Sequence, residues 1–322
     1  MAESAMIQSN MTQPARHFLQ TDAWGAFQEA LGRKVVQQSG DGWHFLAIIE
    51  RGRLGTRLYC PYGPTANGED SLKVAIDELK KLAQRHKAMF VRMEPMAPVS
   101  AEILRSLGAV PAPRDIQPKH TWRVDLTQPE ADIIAKMRAT NRNLHRTAGK
   151  KGISFRASND PQDIFAFLEF IHETARRTGI KPHSDSYFET QARTLMPLGA
   201  AKLFFADFED TPIAAAFAYD SVDGRFYAHA GSSFAHRKLH AGEPLVTHMM
   251  LDAKQKGLQF FDFFGIAPPD EENHAWAGFT KFKKSFGGGQ VDFLGAWDVP
   301  VQPRRYSFYR RTLAAVGRVY AQ

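Results

Sequence analysis

One order of elements is written twice in this chain, and that repetition limits the fold more than any single motif does. Residues 34–38, 43–51 and 57–60 read as three strands, with Asp41-Gly42 marking a hairpin between the first two. A helix over 71–86 follows, with Leu72, Ala75, Ile76, Leu79 and Leu82 at helical spacing, and then a strand over 89–94 closed by Pro95. A helix over 21–31 comes first, and a short one over 100–107 ends at Gly108. Strands over 201–208, 213–219 and 225–230 repeat the meander, followed by a helix over 244–256, stopped by Gly257, and a strand over 260–264. No residue-level repeat joins the two copies, so the duplication is one of architecture. A chain of 322 residues also exceeds the size at which one core usually stops growing, which again gives two domains.

Composition removes several classes. The single cysteine, Cys60, cannot close an internal disulfide, and it reads as a buried thiol or, less commonly, a reactive one. The twelve histidines show no H-E-x-x-H pattern, and His236 and His240 lack an acidic third ligand of recognisable spacing, so no metal is expected. Residues 1–14 carry neither a basic nor an apolar leader segment, and no stretch reaches the roughly 20 apolar residues that span a bilayer. The expectation is a soluble, cytoplasmic protein. A net charge of +7 and a pI near 9.4 favour an anionic partner without naming one.

Two stretches between and after the copies carry chemistry. Thr127 and Glu130 have the T-x-x-E spacing of a capping box, which predicts a helix that then turns basic: Arg138, Arg142 and Arg146 recur every fourth residue, with Lys150 and Lys151 beyond. A solvated face and a phosphate site are both open readings of that column. In the loop 265–289, residues 278–287 interleave lysines with aromatics. Gly287, Gly288 and Gly289 then offer backbone amides with little steric cover.

Meander, helix and strand is the order of the GNAT acyltransferase fold, so the expected class is α/β (α+β), with two GNAT-like domains in tandem. Acetyl-CoA enzymes of that fold open the central helix with an R-x-x-G-x-G/A loop. The corresponding residues here are Arg237-Lys238-Leu239-His240-Ala241-Gly242, where a histidine side chain replaces the first loop glycine. No such loop precedes Ser71 in the first copy.

Ordered along nearly the whole chain, a set of short motifs resembles the FemABX family of peptidoglycan bridge-forming aminoacyltransferases. They are Phe18-Leu19-Gln20 with Trp24, Tyr62-Gly63-Pro64, Val91-Arg92-Met93-Glu94-Pro95, Gln117-Pro118 and Val124-Asp125-Leu126. Asn141-Arg142-Asn143-Leu144 with Lys151-Gly152-Ile153, Phe261-Asp262-Phe263-Phe264-Gly265-Ile266, and Phe282-Lys283-Lys284-Ser285-Phe286-Gly287-Gly288 complete the set. The resemblance implies a first domain over 1–118 plus 300–322 and a second over 119–299. It is the short form, because 179–202 offers no coiled-coil heptads.

By the same resemblance Lys283 is the catalytic lysine, Arg142 the phosphate-binding arginine with Arg138 beside it, and Phe282 part of the substrate site. Glu94 becomes the acidic residue near the acceptor amine, Gln28 stands where relatives often carry a phosphate-holding lysine, and Tyr227 and His229 replace two alternating tyrosines. The implied reaction moves an amino acid from aminoacyl-tRNA, with no further cofactor, to the stem-peptide amine of UDP-MurNAc-pentapeptide or lipid II. Peripheral contact with the inner membrane face is compatible with this, and DNA is not a partner. Arg304, Arg305, Arg310, Arg311 and Arg318 are a candidate contact for the tRNA backbone, or a solvated helix face. Two other readings stay open: an acyl-CoA-dependent N-acyltransferase acting on a polysaccharide or small amine, and a non-catalytic duplicate that only binds the muramoyl peptide.

Overall fold

The structure is a computed structural model that describes residues 16–271 and 273–319, with side chains described as far as Leu313. The leader reading of 1–14 and the Arg318 side chain lie outside the described residues. The chain forms two compact units. One comprises the described parts of Met1–Gly25, Arg33–Gln117 and Phe293–Gln322, and the other Ala26–Gly32 and Pro118–Asp292.

A short turn, Phe18–Gln20, leads into helix α1 (Asp22–Ala30), which belongs to the first unit as far as Gly25 and to the second from Ala26. Gln20 is buried because its amide replaces water twice over: Oε1 accepts from the Leu46 amide at 2.7 Å, and Nε2 donates to the Pro61 carbonyl at 2.6 Å. Strands β1 (Lys34–Gly40), β2 (Trp43–Gly52) and β3 (Gly55–Cys60) form the antiparallel meander, with Gly42 at φ 69° in the first hairpin. A two-residue strand, β4 (Thr65–Ala66), pairs with β2. Helix α2 (Glu69–Arg85) buries the apolar stripe read from the sequence, and β5 (Phe90–Met93) runs parallel to β3. Helix α3 (Ala101–Ser106) and β6 (Val110–Pro111) follow. Cys60 is a buried free thiol.

The second unit opens with β7 (His120–Asp125), α4 (Glu130–Ala135) and α5 (Ala139–Thr147). Here the structure corrects the sequence. The expected capping box does not form, because the Asp125 carboxylate takes both the Thr127 hydroxyl (2.6 Å) and its amide (2.8 Å), and Pro129 stands at the N-cap. The single basic helix is two helices. Arg138 breaks it at φ −56°, ψ 146°, with its amide donating to the Ser285 carbonyl at 2.9 Å. A long-range hydrogen bond thus outweighs the local preference to continue the helix.

Beyond these come β8 (Ile153–Ser158), α6 (Ile164–Thr178), α7 (Asp185–Leu195), β9 (Ala201–Phe208), β10 (Thr211–Asp220), β11 (Gly224–Ser232), α8 (Gly242–Gln255), β12 (Phe260–Gly265), α9 (Ala277–Lys284) and β13 (Gly289–Asp292). The sheet runs β13-β7-β12-β11-β10-β9-β8. Its central parallel pair, β11 and β12, is joined only from Gly224↔Phe260 to Phe226↔Asp262, after which both strands continue without pairing to each other.

The chain then returns to the first unit. Strand β14 (Trp297–Pro300) inserts between β5 and β6, and α10 (Pro303–Val319) follows it. The first sheet therefore reads β1-β2-β3-β5-β14-β6, and the return segment starts at Phe293 instead of 300 because β14 belongs to that sheet. Arg92 on β5 makes two 2.8 Å bonds to the Asp298 carboxylate on β14, and Asp298 also accepts from the Tyr306 hydroxyl of α10 at 2.9 Å. All three side chains are buried. Asp298→Asn leaves a guanidinium out of water without its counter-charge, so unfolding in urea should show a loss of about 3–5 kcal/mol, much of it recovered when Arg92→Met is added. A loss below about 1 kcal/mol would show that this pair does not hold the return segment.

Candidate functional site

The centre of the second unit is where β12 ends. Asp262, 1% exposed, sits at the last paired position of β11 and β12, and burial raises its pKa against the opposing pull of Arg123. Arg123 donates to its Oδ2 at 3.2 and 3.0 Å, and the Phe264 amide donates to its Oδ1 at 2.7 Å. That last bond folds the strand end back on itself: Phe264 takes φ 64°, a left-handed value that a bulky residue adopts only when its surroundings impose it. The next residue, Gly265, has its carbonyl 2.5 Å from Lys283 Nζ on α9. Only glycine fits there, since a Cβ would lie 2.7 Å from Pro118 Cγ and 2.9 Å from Trp276 Cζ3. Thr280 anchors α9, its hydroxyl accepting from the Ala267 amide at 2.8 Å.

Burial brings the Lys283 amine down to a pKa of about 8, partly opposed by the charge of Asp262. A cation held on a carbonyl, with a titration point this near neutrality, is suited to stabilising developing negative charge or to exchanging a proton.

Helix α5 is joined to the same place. Asn141, buried, donates to Ser285 Oγ at 2.8 Å and to the Ser285 carbonyl at 3.3 Å, while the Arg138 amide takes that carbonyl too. Arg142 is thus one residue from this joint and Lys283 two residues from it on the other side. Arg142 itself is exposed and spends Nη1 on the Ala135 and Met137 carbonyls, capping the C-terminus of α4. Arg138 and Arg146 are exposed, but only Arg142 and Arg146 share α5, so the three-residue column predicted from spacing is not formed. The glycine run serves chain packing at Gly288, where φ is 88° and a Cβ would lie 2.2 Å from the Arg123 carbonyl. Gly288 and Gly289 also line a cavity of about 330 Å³ with Arg123, Gln128 and Lys136.

Other residues singled out from the sequence are placed elsewhere. Glu94 lies in the first unit, with Oε1 accepting the Ile116 (3.1 Å) and Gln117 (2.8 Å) amides and Oε2 accepting the Tyr59 hydroxyl (2.9 Å). Both oxygens are taken by the fold, so the structure gives Glu94 the job of fixing residues 116–117 and leaves it no free oxygen for an amine. Tyr227 and His229, two apart on one strand, should share a face, but a bulge at Ala228 sends them to opposite sides. Tyr227 packs on Phe263 at 5.8 Å, and burial pushes its phenol up. His229 packs edge-on to Phe188 at 5.0 Å on the α7 side, and burial lowers its pKa to about 3, so it is neutral. Phe282 packs on the core against Phe286 at 5.1 Å, and Gln28 is 1% exposed. In the loop matching the coenzyme cradle, His240 adopts φ 51°. Among the described residues no cluster of three metal-ligating side chains occurs, and no helix is long and apolar enough to cross a membrane.

Two meanders, each followed by a helix and a strand parallel to the last, define a protein of two GNAT-like domains in tandem, as the sequence order predicted. Residues 135–276 match the family model described as an acetyltransferase (GNAT) domain. The crystal structure of FemX superposes with a TM-score of 0.84 over 92% of this chain and 96% of that one, at 17% identity. The structure of L-PGS from Bacillus licheniformis superposes at 0.57 over 86% and 90%, at 13% identity. In sequence, the lipid II:glycine glycyltransferase of Staphylococcus haemolyticus is 26% identical over 155 residues, 44% of this chain and 37% of that protein. That of Staphylococcus saprophyticus is 25% identical over a stretch of the same length. The chain thus matches little more than a third of these relatives' length. The resemblance read from the motifs is the one these comparisons return.

The joint between α5 and α9 can be measured. A double-mutant cycle of Asn141→Ala and Ser285→Ala should give a coupling of about 1 kcal/mol in urea unfolding, and a coupling near zero would remove the joint.

Proposed function

We propose that this chain is an aminoacyltransferase that moves an amino acid from aminoacyl-tRNA to the stem-peptide amine of a peptidoglycan precursor, as in interpeptide bridge formation. The observation that carries the reading is Lys283, an amine of lowered pKa held on the Gly265 carbonyl where the two central strands part. Support comes from the activity of the staphylococcal relatives, lipid II:glycine glycyltransferases, and from the fold of FemX. In the reaction the acceptor amine attacks the ester carbonyl, a C–N bond forms, the C–O bond to the tRNA breaks, and the 3′-hydroxyl leaves with a proton. Alignment and oxyanion stabilisation are the main demands, and no Ser-His-Asp or Cys-His pair is needed. Lys283, as ammonium, stabilises the oxyanion and the leaving oxygen, while Arg142, with guanidinium donors beyond the one that caps α4, receives phosphate of the acceptor. The acceptor is UDP-MurNAc-pentapeptide or lipid II, and for the lipid-linked form the protein works at the membrane face.

Lys283→Met should lower kcat by about 10²–10³-fold while acceptor affinity stays within about threefold, and equal losses in both would refute the role. Incubation with radiolabelled aminoacyl-tRNA and acetyl-CoA in separate reactions tests the donor. Label entering the peptide from acetyl-CoA would replace this reading with acyl-CoA-dependent transfer.

The pH dependence has a definite sign. Between about 8 and the ordinary value of 10.5 the unfolded chain keeps a proton on Lys283 that the folded protein releases. This group's contribution to stability therefore rises with pH across that window and is least favourable below it. Activity runs the other way, because the ammonium is the working form: kcat should fall above about pH 8. Lys283→Arg, charged throughout, should be slower and lose that alkaline limb, and a limb that persists in the variant belongs to another group.

A further inference from the structure

At one end of the first unit's sheet, basic side chains converge from four separate segments. Lys34 opens β1, Arg51 lies near the end of β2, and Arg53 with Leu54 forms the turn into β3. Arg85 ends α2 and Lys87 lies two residues beyond it, and the Met89 amide that follows donates to the Thr56 carbonyl at 2.8 Å, which fixes that corner beside the turn. The return segment arrives at the same corner: Gln302 donates to the Lys87 and Ala88 carbonyls, both at 3.2 Å, and Arg305 Nη2 lies 3.4 Å from where a Cβ on Gly55 would be. His86 reports the crowding independently. Burial lowers its pKa first, and Lys34, Arg85 and Arg51 push it the same way.

None of these cations forms an ion pair among the described residues, and the nearby Glu50 carboxylate is taken by Arg57 at 2.6 Å. Helix α10 begins here with Arg304 and Arg305 and no acidic residue in its first turn, opposite to what the helix dipole prefers. Two apolar side chains stand in water within this field. Leu54 is 38% exposed at the tip of the turn, and Phe308, a helical neighbour of both arginines, is 65% exposed.

We propose that this end of the first unit docks onto an anionic phospholipid bilayer. Guanidinium groups suit RNA phosphates as well, but an exposed leucine gains nothing from a ribose-phosphate backbone, whereas a bilayer interface takes cations at its headgroups and apolar side chains just below them. The proposal deepens the transfer reading by naming the surface that would meet a lipid-linked acceptor, and it rests on that reading for its purpose, though not for its geometry.

The test is cosedimentation of the full chain with phosphatidylcholine vesicles, with and without phosphatidylglycerol, at low and high salt. Binding should require the anionic lipid and weaken with salt. Arg51→Glu/Arg53→Glu/Arg85→Glu should lower partitioning by at least about 100-fold, near fivefold for each basic residue lost. Leu54→Ser/Phe308→Ser should lower it by about tenfold with the salt dependence kept. The three arginines are exposed, so the thermal melt of the triple variant should match the parent; the milder Arg→Gln triple, expected to weaken binding in the same direction, decides the matter if it does not. Equal binding to neutral vesicles overturns the proposal, as does undiminished binding by the variants. Uncharged tRNA that binds the parent, fails to bind the triple variant and displaces vesicles would make the surface an RNA site instead. Transfer to the water-soluble nucleotide-linked acceptor should be unchanged in these variants; a parent that binds vesicles but transfers nothing removes the transfer reading and leaves the surface standing.

Discussion

The second unit is organised around a carboxylate taken out of water at the end of its central strand. Asp262 is tolerable there because every strong donor in reach is turned toward it: the Arg123 guanidinium, the Thr121 hydroxyl at 3.4 Å and the Phe264 amide. Satisfying the last of these bends the chain into a left-handed residue. The bend aims the Gly265 carbonyl at Lys283, and the lysine amine, buried in turn, loses part of its hold on a proton. Burial of the lysine itself lowers its pKa, and the charge of Asp262 partly offsets that effect.

The two units solve the same packing problem with different polar anchors. Each closes a meander with a helix and a parallel strand, and each sheet contains a fully buried arginine. In the first, Arg92 on β5 is held by Asp298 from the return segment. In the second, Arg225 on β11 is held by Asp220 at 2.7 and 2.8 Å and by Asp252 of α8. The sheets are dictated by apolar patterning, while these ion pairs decide which segments must be present for each to be complete. The return of the chain to the first unit is thus an electrostatic requirement as much as a topological one.

Legibility varied with the range of the interaction. The stripe Leu72, Ala75, Ile76, Leu79 and Leu82, the strand 201–208 and the repeated order of elements are local patterns, and they appear in the structure as read. Lys283 and Arg142 were named by resemblance, and the elements that carry them do meet, through the pairing of Asn141 with Ser285. Those two joint residues lie inside the motifs Asn141-Arg142-Asn143-Leu144 and Phe282-Lys283-Lys284-Ser285, but nothing in their spacing marked them as partners. The opposite facing of Tyr227 and His229 was invisible because a bulge is set by the neighbouring strand, here Phe217 and Ala218 on β10. Glu94 looked available because its donors, at Tyr59, Tyr62, Ile116 and Gln117, arrive from other parts of the unit.

The sequence by itself determined the fold class, the tandem order and the face that each helix and strand buries, because hydrophobic periodicity and turn chemistry act over a few residues. Only the tertiary structure decided where the basic helix breaks, which carboxylates are spent on the fold, and how far the lysine amine is from its ordinary pKa. Those outcomes depend on desolvation and on hydrogen bonds between residues more than a hundred positions apart, such as Asn141 with Ser285, and the energy of a buried polar group exists only once its surroundings are assembled.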